Sequence, residues 1–126
     1  MTINNPYQAY QRQAVTTSKP EDLTSMLYQG LIKFIRLAKM ELENKNIEAS
    51  HTHNLRAQDI LSELMVTLKR EYAISESLLP LYDYMKNRLI EANLQKKTEL
   101  LEEVEGYAVE LAETWVAAMK VTKAGK

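Results

Sequence analysis

The chain has 126 residues, 45% hydrophobic and 26% charged, with a net charge of −1 and no cysteine. Such a length suits one hydrophobic core, the missing thiols exclude disulfides, thiolate metal sites and a cysteine nucleophile, and the balanced charge offers no field for nucleic acid or an anionic membrane. Every apolar run is far shorter than the roughly 20 residues of a membrane span, and the first residues lack a signal-peptide apolar region, so a cytoplasmic protein without membrane insertion is expected.

The first 17 residues, MTINNPYQAYQRQAVTT, hold few apolar positions for a core helix. They nevertheless place Tyr7 and Tyr10 on one side of a short helical turn. Aromatic residues are scarce in disordered tails. Residues 1–17 therefore read either as a segment whose rings dock reversibly on the rest of the chain or as a flexible end that happens to carry two tyrosines. Ser18-Lys19-Pro20-Glu21 has the pattern of a capping box with proline in the first turn. From there Leu23, Leu27, Gly30, Leu31, Phe34 and Ala38 recur at helical spacing, and the pattern fades over Glu43-Asn44-Lys45-Asn46. A second helix is expected from residue 47 to about 70, with Ile60, Leu61, Leu64, Met65 and Leu68 on one face. Ser77 is the expected cap of a third helix with Pro80 in its first turn, bearing Leu78, Leu81, Tyr82, Met85, Leu89 and Ala92. Thr98 can cap a fourth, bearing Leu101, Val104, Ala108, Leu111, Trp115 and Ala118. Four amphipathic helices with short connections predict an all-α, antiparallel up-down-up-down four-helix bundle over residues 18–122, followed by a frayed tail at 123–126.

Residues that could carry chemistry are few. Glu48-x-x-His51 is the unit used by di-iron bundles, but such a site needs two of them plus inward glutamates from two more helices. The other histidine, His53, lies two residues on and faces elsewhere. Glu102, Glu103 and Glu105 fall in the first turns of a helix, where carboxylates offset the dipole and solvate the outer face. No phosphate-binding glycine loop or nucleophile elbow occurs. The expectation is a non-enzyme without metal or other cofactor.

Apolar surface is more informative. Tyr82 and Tyr84 stand about 200° apart on a helix, so both rings cannot enter one core. Tyr82 is expected inside and Tyr84 outside. Tyr28 and Ile32 lie off the line through Leu27 and Leu31, and Tyr107 and Val116 lie beside the stripe of the fourth helix. Gly30 and Gly106, costly in helix interiors, would let another backbone approach, either a neighbouring helix or a visiting one. Surplus apolar width on three helices predicts an external groove for a partner.

Five stretches then carry a resemblance: Pro6-Tyr7-x-x-Tyr10, Thr17-Ser18-x-Pro20-x-x-Leu23, the run Met26-Leu27-Tyr28-Gln29-Gly30-Leu31-Ile32-Lys33-Phe34, the run Ala57-Gln58-Asp59-Ile60-Leu61-x-Glu63-Leu64, and Leu81-Tyr82-Asp83-Tyr84-Met85-x-x-Arg88-Leu89-x-Glu91-Ala92-Asn93. In this order, over roughly residues 6 to 119, they resemble the FliS family of bacterial flagellin-export chaperones. The resemblance implies a four-helix bundle that binds the disordered C-terminal segment of flagellin in the cytoplasm. It further implies prevention of premature polymerisation and delivery to the export gate of the flagellar type III apparatus, without ATP or another cofactor. The implied flagellin groove comprises Tyr28, Gly30, Ile32, Leu81, Tyr84, Arg88, Asn93 and Tyr107, and Pro6, Tyr7 and Tyr10 match a cap that covers it when no client is bound. The alternative is a structural bundle that forms a homodimer through the same patch. Two departures stand out: Gln29 replaces a frequent Asp, and Tyr72-Ala73-Ile74-Ser75 replaces glycines between the second and third helices, a change that would extend a helix end.

Overall fold

The computed structural model describes residues 20–68 and 75–124. They form α1 (Pro20–Glu43), α2 (Ile47–Thr67), α3 (Ser75–Gln95) and α4 (Thr98–Ala124). α1 and α3 each pack against α2 and α4, so the four enclose one core as a square. Contacts across each seam fix the directions. Arg36 meets Glu105 and Lys39 meets Glu102, so α4 descends as α1 rises. Ser50 reaches Ala38 while His53 reaches Phe34, and the same opposition holds where Asn54 meets Leu89 and Ser62 meets Lys86. The bundle is antiparallel throughout, as the short connections require.

α1 starts at Pro20, whose missing N–H is tolerated in a first turn; Ser18 of the expected capping box lies outside the described residues. Its buried face is wide: Leu27, Tyr28, Leu31, Ile32, Phe34, Ile35 and Ala38 all enter the core. The helix ends where Lys45 takes a left-handed backbone at φ 64. Asn46 N–H then bonds the Glu41 carbonyl at 2.8 Å and Lys45 N–H bonds that of Leu42 at 3.0 Å, the paired closure of a Schellman motif. Asn46 at once caps α2, its side-chain oxygen accepting from Ala49 N–H at 3.3 Å. At the same end of the bundle, α3 stops with Lys96 at φ 55 and its N–H on the Ala92 carbonyl at 2.7 Å.

α2 buries Ile60, Leu61 and Leu64 as its pattern predicts, but its first half turns polar groups inward. Ser50 Oγ donates to the Ala38 carbonyl at 2.8 Å, Asn54 Nδ2 donates to the Leu89 carbonyl at 2.9 Å, and Gln58 Nε2 donates to Asn54 Oδ1 at 2.8 Å. These groups remain buried because each has a partner. Together they tie α2 to both neighbours.

Some expected boundaries move. α2 ends at Thr67, with Leu68 extended at φ −69, ψ 125, short of the expected residue 70. α3 begins at Ser75, not after a cap at Ser77, so Pro80 sits in the second turn and the Glu76 carbonyl loses its usual donor. On α4, Ala112 is buried and Ala118 is exposed, because the stripe drifts round a straight helix over its 27 residues.

Candidate functional site: an aromatic strip between α3 and α4

The two tyrosines of the Tyr82-Asp83-Tyr84 run divide as the helical geometry demands: Tyr82 is 1% exposed and Tyr84 is 42% exposed. Tyr82 points across the core to Tyr28, and their hydroxyls hydrogen-bond at 2.5 Å. Tyr28 also meets Trp115 edge-on at 6.4 Å.

Outside, Leu81, Tyr84 and Arg88 occupy one flank of α3, spaced three and four residues apart, opposite Glu103 and Tyr107 one turn apart on α4. Tyr84 and Tyr107 pack edge to face, centroids 6.1 Å apart and planes at 78°. The Tyr84 hydroxyl donates to Glu103 Oε2 at 2.5 Å. Arg88 gives Nε (3.0 Å) and Nη2 (2.9 Å) to Glu103 Oε1, and its guanidinium carbon lies 5.8 Å from the Tyr84 ring centroid. Its third nitrogen, Nη1, donates to Glu91 Oε1 at 3.1 Å, and Gln95 donates to the other Glu91 oxygen at 2.9 Å. The Tyr84 hydroxyl first, opposed by burial and reinforced by Arg88, holds the Glu103 carboxyl below its ordinary range. The same bond to Glu103 raises the Tyr84 phenol. The strip thus presents two aromatic rings, the hydroxyl of Tyr84 already satisfied, with Leu81 and Tyr107 half-buried against the core.

The expected groove residues do not all converge. Tyr84, Arg88 and Tyr107 come together, and Leu81 precedes Tyr84 by one turn on the same flank. Tyr28, 1% exposed, and Ile32, 7% exposed, are core residues rather than groove walls, and Gly30 is buried with them. Helix α1 uses its full apolar width to fill the square. Asn93 lies at the other end of α3, lining a cleft of about 360 Å³ with Ile47, His51 and Lys96. Val116 is 42% exposed, yet it stands about half a turn round α4 from Tyr107 and so belongs to a different flank. A Cβ on Gly106 would meet nothing within 4 Å, so no neighbouring helix demands its smallness. Pro6, Tyr7 and Tyr10 lie outside the described residues.

Sequence reasoning missed Glu103 and Glu91. Glu103 was expected only to solvate a helix and Glu91 was quoted without a role, because their partners lie across a seam or one turn away. Glu102 and Glu105 likewise bridge to α1 through Lys39 and Arg36. Among the described residues no three His, Cys, Asp or Glu side chains gather as metal ligands, and no helix is long and apolar enough to cross a membrane. His51 is exposed, and His53 stacks on Phe34 at 6.1 Å and 27°.

The family model described as flagellar protein FliS matches residues 3–122. The chain is 44% identical to the flagellar secretion chaperone FliS of Bacillus subtilis, over 95% of this chain and 90% of that protein. It is 34% identical to the FliS of Salmonella typhimurium over 81% and 78% of the two chains, and 31% identical to that of Campylobacter jejuni over 91% of each. With the helical bundle and a match this long, the chain belongs to the FliS family of flagellar secretion chaperones.

Proposed function

We propose that this protein is a cytoplasmic export chaperone that binds the C-terminal segment of flagellin along the α3–α4 strip. By holding that segment it prevents premature polymerisation and delivers the subunit to the flagellar type III export gate. The observation that carries the reading is Tyr84, an aromatic residue left 42% exposed beside Tyr107 while the core is filled without it. Tyrosine suits such a surface, since its ring offers apolar area at low rotamer cost and its hydroxyl tolerates water when empty.

A client helix can lay its own apolar residues, one turn apart, against the strip between α3 and α4. Ile90 and Leu94 on α3, with Ile47 and Leu55 on α2, are further exposed apolar positions along which an extended segment can continue. Wrapping of this kind gains about 25 cal/mol for each Å² of apolar surface buried, offset by the ordering of the client. Binding requires no catalytic step, and family membership supports a non-enzymatic role. Residues 1–17, with Pro6, Tyr7 and Tyr10, form the segment that covers the strip when flagellin is absent, ahead of a single bundle over 18–122. The ten residues linking Tyr10 to Pro20 can span up to about 35 Å, similar to the length of α1 itself, so the segment has the reach.

The test is calorimetric titration with the flagellin C-terminal segment, with size-exclusion chromatography before and after. A saturable one-to-one complex supports the reading. No complex, with self-association of the chaperone alone, overturns it in favour of a bundle that pairs through this face.

A further inference from the structure

We propose that Glu103 is the positioning residue of the strip, locking the Tyr84 ring and the Arg88 guanidinium into one arrangement before a client arrives. This role rests on the docking function proposed above and extends it to a residue outside the expected groove. The geometry is specific. Glu103 sits on α4, whereas both side chains it holds are on α3, so it acts across the seam that the strip overlies. Each of its oxygens has its own task. Oε2 takes the Tyr84 hydroxyl at 2.5 Å, and Oε1 takes Arg88 Nε and Nη2 at 3.0 and 2.9 Å. Arg88 thereby lies over the Tyr84 ring, 5.8 Å from its centroid, while Tyr107 packs edge to face with it at 6.1 Å.

The consequences follow from side-chain entropy and from charge. A tyrosine and an arginine on an open surface would each lose rotamer freedom when a client docks, at about 0.5–1.5 kcal/mol per immobilised rotamer-rich side chain. Here that ordering has been done in the free protein. Glu103 and Glu91 also more than offset the guanidinium charge, leaving the cluster one charge negative, so the strip offers a ring wall and an aliphatic stem rather than a bare cation. A surface of that kind takes an apolar helix face rather than an acidic one.

Glu103→Gln separates this role from simple stability, because glutamine supplies one acceptor oxygen where the carboxylate supplies two. Tyr84→Phe removes only the hydroxyl that Glu103 holds. The experiment is calorimetric titration of the flagellin C-terminal segment into the wild type, each single variant and the double variant, with thermal unfolding of each. The expected result is a roughly two- to tenfold weaker affinity for each single variant. The double variant should fall little below the weaker single one, because both changes break the same bond. Melting temperatures should stay within a few degrees of the wild type, since an ion pair at the rim of the bundle, still reached by solvent, contributes little to stability. A wild type that binds while Glu103→Gln binds equally well overturns the role, as do losses that multiply in the double variant. A wild type that does not bind overturns the docking reading instead. The lock is then judged in the free protein by tyrosine 13Cζ NMR. The Tyr84 phenol should titrate above its ordinary 10.0 and return toward it in Glu103→Gln, and no such return overturns the lock itself.

Discussion

The buried hydroxyl pair of Tyr28 and Tyr82 makes a quantitative prediction about what holds this bundle together. The two residues lie 54 apart in sequence, both rings are 1% exposed, and their hydroxyls meet at 2.5 Å inside the core. Tyr82→Phe removes one hydroxyl and strands the other in the core. Leaving a buried polar group unsatisfied costs about 1–3 kcal/mol. For a chain of this size each kcal/mol lowers the melting temperature by roughly 3–5 °C, so the single variant should melt about 3–15 °C below wild type. Tyr28→Phe should lose a similar amount. The double variant removes both polar groups together and should be clearly more stable than the sum of the single losses predicts. Scanning calorimetry of the four proteins measures this directly. Losses that simply add, or single variants as stable as wild type, would refute the idea that the two hydroxyls satisfy one another. An alkaline test runs in parallel. Burial raises both phenols above their ordinary 10.0, so the folded state binds these protons more tightly than the unfolded one. Stability from this source is complete below pH 10 and is lost as pH rises above it, and the double phenylalanine variant should lack this loss.

Other changes separate the remaining contributions. Asn54→Ala should cost about 1–3 kcal/mol in urea unfolding, since it frees the Leu89 carbonyl and leaves the Gln58 amide without its acceptor inside the core. Lys45→Gly should stabilise by about 1 kcal/mol, because glycine adopts φ 64 without the Cβ crowding that lysine suffers there. Gly106→Ala should stabilise by about 0.5–1 kcal/mol, since it adds helix propensity into open space. On acidification, Glu103 contributes stability above its ordinary 4.5 and surrenders it as pH falls through the lower folded value. Its position at the rim of the bundle, still reached by solvent, keeps that loss small, so acid titration should change the Tyr84 NMR environment more than the melting temperature.

The bundle was legible because its apolar residues keep the helical period. Leu27 and Leu31 on α1, Leu61 and Leu64 on α2, Met85 and Leu89 on α3, and Leu101 and Val104 on α4 all sit where that spacing puts them. Polar core positions were not legible. Ser50, Asn54 and Gln58 resemble surface residues until their partners, the carbonyls of Ala38 and Leu89 and one another, are placed beside them. Tyrosine was ambiguous for a related reason. Position alone assigned Tyr82 inward and Tyr84 outward, but it misplaced Tyr28, whose hydroxyl needed a partner from another helix to enter the core. The aromatic strip was half visible: Tyr84, Arg88 and Tyr107 were named from the sequence and do come together, whereas Glu103 joins them only when α4 lies against α3.

The most direct test is a residue-resolved map of amide shifts in the chaperone as the flagellin C-terminal segment is titrated in. Client binding along α3 and α4 should shift Leu81, Tyr84, Arg88, Glu103 and Tyr107 together, at the same saturation point. Saturable shifts confined to α1, or to the cleft beside Asn93, with the Tyr84 neighbourhood unmoved, would contradict it.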